Sequence, residues 1–130
     1  MQNRPPHKVD SAYTREEIRK QYNADNVNDV YYLQHAGDEV VALCLRRDTN
    51  PEAPAQVWVG DGPRIKKWGN RLAKPGLKVP VYIRPGSSGK FTFLGWHQVT
   101  TRKPTDAEVK AAMSRKGIGP LSRIVYLEEA

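Results

Sequence analysis

The chain has 130 residues, a hydrophobic fraction of 38%, one cysteine, and a formal charge of +7 from 21 Lys and Arg against 14 Asp and Glu. That length supports one hydrophobic core rather than two, and a single cysteine excludes both an intramolecular disulfide and a thiolate-rich zinc site. No window approaches the roughly 18 consecutive apolar residues of a membrane span, and Met1-Gln-Asn-Arg-Pro-Pro-His-Lys8 lacks the apolar segment of a signal peptide, so a cytoplasmic protein with no membrane partner is expected.

The charge is unevenly placed. Residues 1–45 carry 5 basic and 7 acidic side chains, 46–103 carry 12 and 3, and 104–130 carry 4 and 4. A concentrated basic block in a chain with a pI of about 9.7 is the electrostatic footprint of a polyanion partner. A solvated surface with a chance asymmetry is the plainer reading.

In chain order, residues 1–12 combine prolines and polar groups without periodicity and read as a disordered or loosely held leader, leaving 13–130 as one domain. Thr14-Arg-Glu-Glu17 is a capping box, opening a short helix over 15–22 with Tyr13 as a staple partner for Ile18. A polar turn over 23–29 leads to a strand at 30–33, the turn Ala36-Gly-Asp38, and a second strand over 39–46. That second strand is apolar on both faces and so central; the two form a hairpin. Cys44 lies in its apolar run and reads as a buried small hydrophobe rather than a nucleophile. The prolines of 48–54 end the strand in a surface loop.

The central block begins with a strand over 56–60. Gly62 and Pro63 then cap a helix over 64–73. At 100° per residue, Ile65, Trp68, Gly69, Leu72 and Ala73 share one arc, and Arg64, Lys66, Lys67, Asn70, Arg71 and Lys74 fill the other. Pro75-Gly76 ends this helix. In the strand over 79–84, Val79, Val81 and Ile83 alternate with Pro80, Tyr82 and Arg84, and Pro80 marks an edge or a strand start. A Gly-Ser loop joins it to a long strand over 90–100, where Gly95 predicts a bulge or bend. Alternation places Phe91 and Phe93 together, in a core with Val81 and Ile83. A second capping box at Thr105 starts a helix over 106–115, broken by Gly117-Ile-Gly-Pro120, and an internal strand over 122–127 follows. Six short strands with two or three helices give an α+β class with a bent, mostly antiparallel sheet forming a partly closed barrel.

Catalytic constellations are weak, and the protein is read as a non-enzyme without metal or cofactor. His7, His35 and His97 form no ligand pair, and the acidic residues of the central block (Asp48, Glu52 and Asp61) are too few for a two-metal centre. The glycines before Pro63 resemble a phosphate cradle only in offering helix N-terminal N–H groups; an ordinary strand-to-helix turn is the plainer reading. The stronger pattern is cations interleaved with aromatics, because cations neutralise phosphates while an exposed ring stacks on a base for about 1–3 kcal/mol. Backbone contacts are assigned to Arg64, Lys66, Lys67, Arg71, Lys74, Arg84 and Lys90. Trp58, Tyr82 and Trp96 are the rings assigned to a ligand.

The segments Asn50-Pro-Glu-Ala-Pro54, Val57-Trp-Val-Gly-Asp-Gly-Pro63, Val79-Pro-Val-Tyr-Ile-Arg84 and Phe91-Thr-Phe-Leu-Gly-Trp-His-Gln-Val99 resemble modules attached to restriction-type endonucleases and helicases. Those are similar in plan to the SRA, EVE and other PUA-like β-barrels that read modified bases, and to phosphorothioate-DNA-binding modules. The likeness covers about half the chain. It implies a concave aromatic pocket for a flipped base, which would place Tyr82, Trp96 and His97 near the pocket and Arg84 with the 85–90 loop at its rim. The expected function is a non-catalytic nucleic-acid-binding module in a restriction or defence setting. Its partner is DNA, favoured over RNA and possibly modified, with a separate effector protein supplying any cutting. The alternatives are a protein-interaction or inhibitor module in a phage or defence setting, whose basic face meets an acidic protein, and a small metal-dependent nuclease using Asp61.

Overall fold

The computed structural model describes residues 5–27, 30–115 and 118–130. In chain order these form β1 (Ala12–Tyr13), α1 (Arg15–Gln21), β2 (Leu33–Ala36), β3 (Glu39–Arg46), β4 (Gln56–Gly60), α2 (Pro63–Leu72), β5 (Lys78–Arg84), β6 (Phe91–Val99), α3 (Asp106–Met113) and β7 (Leu121–Glu129). Both capping boxes close. Thr14 Oγ1 accepts from the Glu17 N–H at 3.1 Å while the Glu17 carboxylate accepts from the Thr14 N–H at 2.9 Å. Thr105 and Glu108 repeat the exchange at the start of α3. Such caps satisfy helix donors that would otherwise lack partners.

The strands run in the order β2-β3-β5-β6-β7-β4, with β1 added beside β6. The sheet curls into a partly closed barrel, as expected for the α+β class. Two shared strands produce the curl. In β6, Pro80 faces Trp96 and Tyr82 faces Phe93, so one extra residue is accommodated around Gly95, whose φ is +91°. Gly95 is therefore the residue that lets the strand bend. In β7, residues 127–129 pair with β6 and residues 121–126 pair with β4.

The barrel interior is filled by Leu43, Leu45, Val57, Val59, Val79 and Val81 together with Trp68 and Leu72 of α2. Helix α2 bridges the two ends of the sheet. On the β2 side the His35 ring stacks on Trp68 with centroids 4.0 Å apart, and the Tyr32 hydroxyl donates to the Ile65 carbonyl at 2.8 Å. On the β4 side Gly69 lies against Val59. The outer face carries two smaller clusters. Ile18 of α1 covers Cys44, Tyr82, Phe91 and Phe93, and Ala112 of α3 packs with Trp58, Ile124 and Tyr126.

Several expectations need correction. The strand expected at 30–33 is displaced to Leu33–Ala36, because Tyr32 turns inward to reach α2. The strands β3 and β5 pair in parallel, with β4 and α2 lying in the crossover between them. Pro80 is in a central strand, but pairing with β3 starts at Val81, so its missing N–H leaves no β3 carbonyl without a donor. Phe91 and Phe93 are not buried with Val81 and Ile83. The register puts Phe93 opposite Tyr82, and both phenylalanines share the outer cluster. Parts of the expected 23–29 turn and of the 117–120 break lie outside the described residues.

Over its described part, residues 5–12, the leader is tied to the sheet and to α1. Asp10 N–H donates to the Phe93 carbonyl and Phe93 N–H to the Ser11 carbonyl, each at 2.9 Å. His7 stacks on Tyr13 at 3.7 Å, and its Nδ1 lies 2.6 Å from the Tyr82 hydroxyl, which is in turn 2.7 Å from that of Tyr22. Burial lowers the His7 pKa below the ordinary imidazole value, opposed in part by Glu17. The unfolded chain thus binds this proton more tightly than the folded one, so stability held above about pH 6.5 is lost progressively as the pH falls below it. Amide exchange at Asp10 and Phe93, corrected for intrinsic rates, should accelerate over that window, and His7→Gln should remove the acceleration.

Candidate nucleic-acid interface

The arc of α2 expected to face the core does so. Trp68, Gly69 and Leu72 are buried and Ile65 packs beside them. Arg64, Lys66, Lys67, Asn70 and Lys74 are exposed on the opposite arc. No acidic residue occurs in α2. Arg64, Lys66, Lys67 and Lys74 make no ion pair with a described residue; Asp38 borders the same hollow as Arg64 and Lys67, and Asp38 and Glu39 border that of Lys74.

Arg71 behaves differently. It donates to Asp38 Oδ1 at 2.7 Å, and its guanidinium lies 4.7 Å from the Trp68 ring centroid. It is half-buried and serves as a clasp between α2 and the β2–β3 turn. Sequence reasoning counted Arg71 as a phosphate ligand because its position on the helical wheel is polar. Its partner lies 33 residues away and could not be read from that wheel.

Arg84 and Lys90 are on the other side of the sheet. Arg84 donates to the Gly89 carbonyl at 3.0 Å and lies 4.3 Å from the Phe91 centroid, in the outer cluster covered by α1. Lys90 is exposed and near enough to Glu17 to lower its pKa, although the Thr14 hydrogen bonds lower it more. The seven cations assigned to the backbone therefore divide between two faces.

The four residues assigned to a base-contacting pocket are also separated. Tyr82 is wholly buried, Trp58 is 4% exposed and His97 is 4% exposed. Each has internal polar company: Tyr82 has Tyr22 and His7, Trp58 Nε1 donates to Gln56 Oε1 at 3.0 Å, and His97 Nδ1 lies 3.3 Å from the Gly95 carbonyl. Burial pushes the Tyr82 phenol well above its usual range. Only Trp96 of the four is open, at 50% exposure, with its ring edge-on to Tyr22 on the outer face.

Cys44 is buried, and desolvation pushes its thiol up to about 12, far from the thiolate range of a nucleophile. Among the described residues no group of three or more His, Cys, Asp or Glu is placed to hold a metal ion. No helix among them is long and apolar enough to cross a membrane.

No protein-family model, curated protein or solved structure matches this chain. The geometry beside α2 adds one residue absent from the sequence reading: Arg123 of β7, whose Nη1 donates to Asn70 Oδ1 of α2 at 3.1 Å. Alternation along β7 was the available signal, since Arg123 shares a face with Val125 and Leu127, both in the barrel interior under α2.

Proposed function

We propose that this protein binds nucleic acid through the phosphate backbone, using the exposed arc of α2, and that it performs no chemistry on its ligand. The observation that carries this reading is the arrangement of α2, whose apolar arc is locked into the barrel while Arg64, Lys66, Lys67 and Lys74 point outward. Cations on a docked helix neutralise phosphates and release condensed counterions, and this term sets affinity without reading sequence. DNA is the favoured polymer, and a cytoplasmic site of action belongs to the same proposal. Recognition of a modified base, with a separate effector in a restriction or defence setting, is its finer form. Burial of Trp58, Tyr82 and His97 leaves Trp96 as the assigned ring open for stacking.

The test is titration of duplex, single-stranded and modified DNA at about 50 and 200 mM salt, following anisotropy of the labelled strand. Four phosphate contacts correspond to a slope of log K against log salt of about −3.6, and so to a loss of about 150-fold across that range. Equal affinity at both salts, or no binding at the lower one, would overturn the reading. In the second case, capture of an acidic protein by the same face would point to the protein-interaction alternative.

A further inference from the structure

The positive surface does not stop at α2. Beside the C-terminal end of that helix is a groove of about 290 Å³, between Ala73 and Pro75 on one side and the 100–103 segment and β7 on the other. Its cationic lining comes from Arg102, Lys103 and Arg123, and Thr101 adds a hydroxyl. These cations are not equivalent. Arg102 is paired with Glu108, and its guanidinium lies 4.0 Å from the Tyr126 ring centroid. Arg123 is held by the neutral Asn70 amide, which orients the guanidinium without cancelling its charge, and its buried Nε has no hydrogen-bond partner among the described residues. Lys103 is exposed at the rim and makes no ion pair with a described residue.

We propose that this groove seats a phosphodiester phosphate of the same nucleic-acid strand that α2 holds, with Arg123 and Lys103 as its ligands. This rests on the backbone-binding reading of α2 and extends it. A helix of ten residues is about 15 Å long, about four rises of one DNA strand, so α2 alone spans only a short stretch of backbone. Asn70 is the joint between the two parts: it sits on the exposed arc of α2 and fixes Arg123 at the groove. Charge complementarity selects the occupant, since the groove holds two uncancelled cations, and its one paired cation, Arg102, is neutralised by Glu108 from outside the lining.

The experiment uses the full chain and a labelled DNA duplex of about two turns, titrated across a salt series. Lys103→Glu changes an exposed residue and should leave the thermal midpoint unchanged. It should weaken binding about eightfold near 0.1 M salt and reduce the salt slope by about one, as expected for loss of one phosphate contact. Arg123→Gln should act in the same direction, with Lys103→Glu deciding the matter if that variant fails to fold. If the wild type binds and reversal of Arg64 and Lys66 weakens it, while Lys103→Glu leaves both affinity and slope unchanged, the groove assignment is overturned and the α2 reading stands. If the wild type binds no duplex at low salt, both fall together.

Discussion

Gly69→Ala is expected to destabilise the protein, by about 1–2 kcal/mol net, although the same change in an exposed helix would stabilise it by about 1 kcal/mol. The reversal comes from the seat of α2. A methyl group built at Gly69 would collide with Val59 Cγ1 and lie 3.1 Å from Cγ2 and 3.3 Å from Cβ. Val59 is wholly buried in β4 and cannot swing into solvent. An overlap this deep against a fixed neighbour costs about 2–3 kcal/mol, in the upper part of the range for overpacking, which outweighs the gain of about 1 kcal/mol in propensity. For a domain of this size the thermal midpoint should fall by several degrees, on the order of 3–6 °C. Val59→Ala alone should also destabilise, by about 2 kcal/mol, through the cavity it opens. The pair together should cost less than the sum by at least about 0.5 kcal/mol, because the small residue at 59 makes room for the new methyl. Strict additivity, or a stabilised single variant, would mean that α2 is not seated on β4 as described.

The same close approach explains which parts of the fold were legible. Period-3.6 patterning identified the buried arc of α2 correctly, including Gly69, because every residue on that arc meets the same surface. Capping boxes at Thr14 and Thr105 were readable because they are local chemistry, completed within four residues. Gly95 announced its bulge for the same reason: an isolated glycine in an apolar strand has few other uses. Pairing partners are a different kind of information. An apolar β3 says that it has neighbours on both sides, not that one of them is the parallel β5. Alternation grouped Phe91 with Phe93 correctly, but their opposition to Tyr82 depends on the register between two strands, and the bulge shifts that register.

The candidate site divides along the same line. Exposure of Arg64, Lys66, Lys67 and Lys74 followed from the helical wheel. Cations interleaved with aromatics point to Trp58 and Tyr82 as ligand-facing rings, whereas both are buried where the core supplies a partner for their polar atom. Tyr82 is the clearest instance: two side chains distant in sequence, Tyr22 and His7, meet its hydroxyl inside the outer cluster. Conversely, Arg123 stands in a segment whose charges balance, and composition gave no reason to connect it with α2. The basic helix is thus a closure element of the barrel as well as a charged surface. Its phosphate contacts would be made from a helix already folded and packed before the ligand arrives, which lowers the ordering cost of binding.

Reversing two charges on that support should produce the largest change in binding. The paired substitution Arg64→Glu with Lys66→Glu is expected to weaken affinity for duplex DNA by at least about 60-fold near 0.1 M salt, and to reduce the salt slope by about 1.8. Each phosphate contact contributes about 0.9 to the slope, or about eightfold in affinity at 0.1 M relative to 1 M; two contacts multiply, and the added carboxylates repel the backbone further. These positions suit the test better than Lys67 and Arg71. Lys67 lies 5.7 Å from the Trp68 ring centroid and Arg71 joins α2 to Asp38, so changing either disturbs the seat of the helix as well as its charge. Arg64 and Lys66 are exposed in the first turn of α2, where an acidic side chain is favoured by the helix dipole. The variant should therefore melt at or slightly above the wild-type temperature while losing its ligand. A matched control, Lys8→Glu with Lys90→Glu, both exposed near α1 on the opposite face, should leave duplex affinity within about twofold, the residual change reflecting only screened long-range charge. Equal losses in the two variants would assign binding to net charge rather than to α2. A loss confined to the Lys8 and Lys90 variant would move the interface to the outer face, beside Trp96.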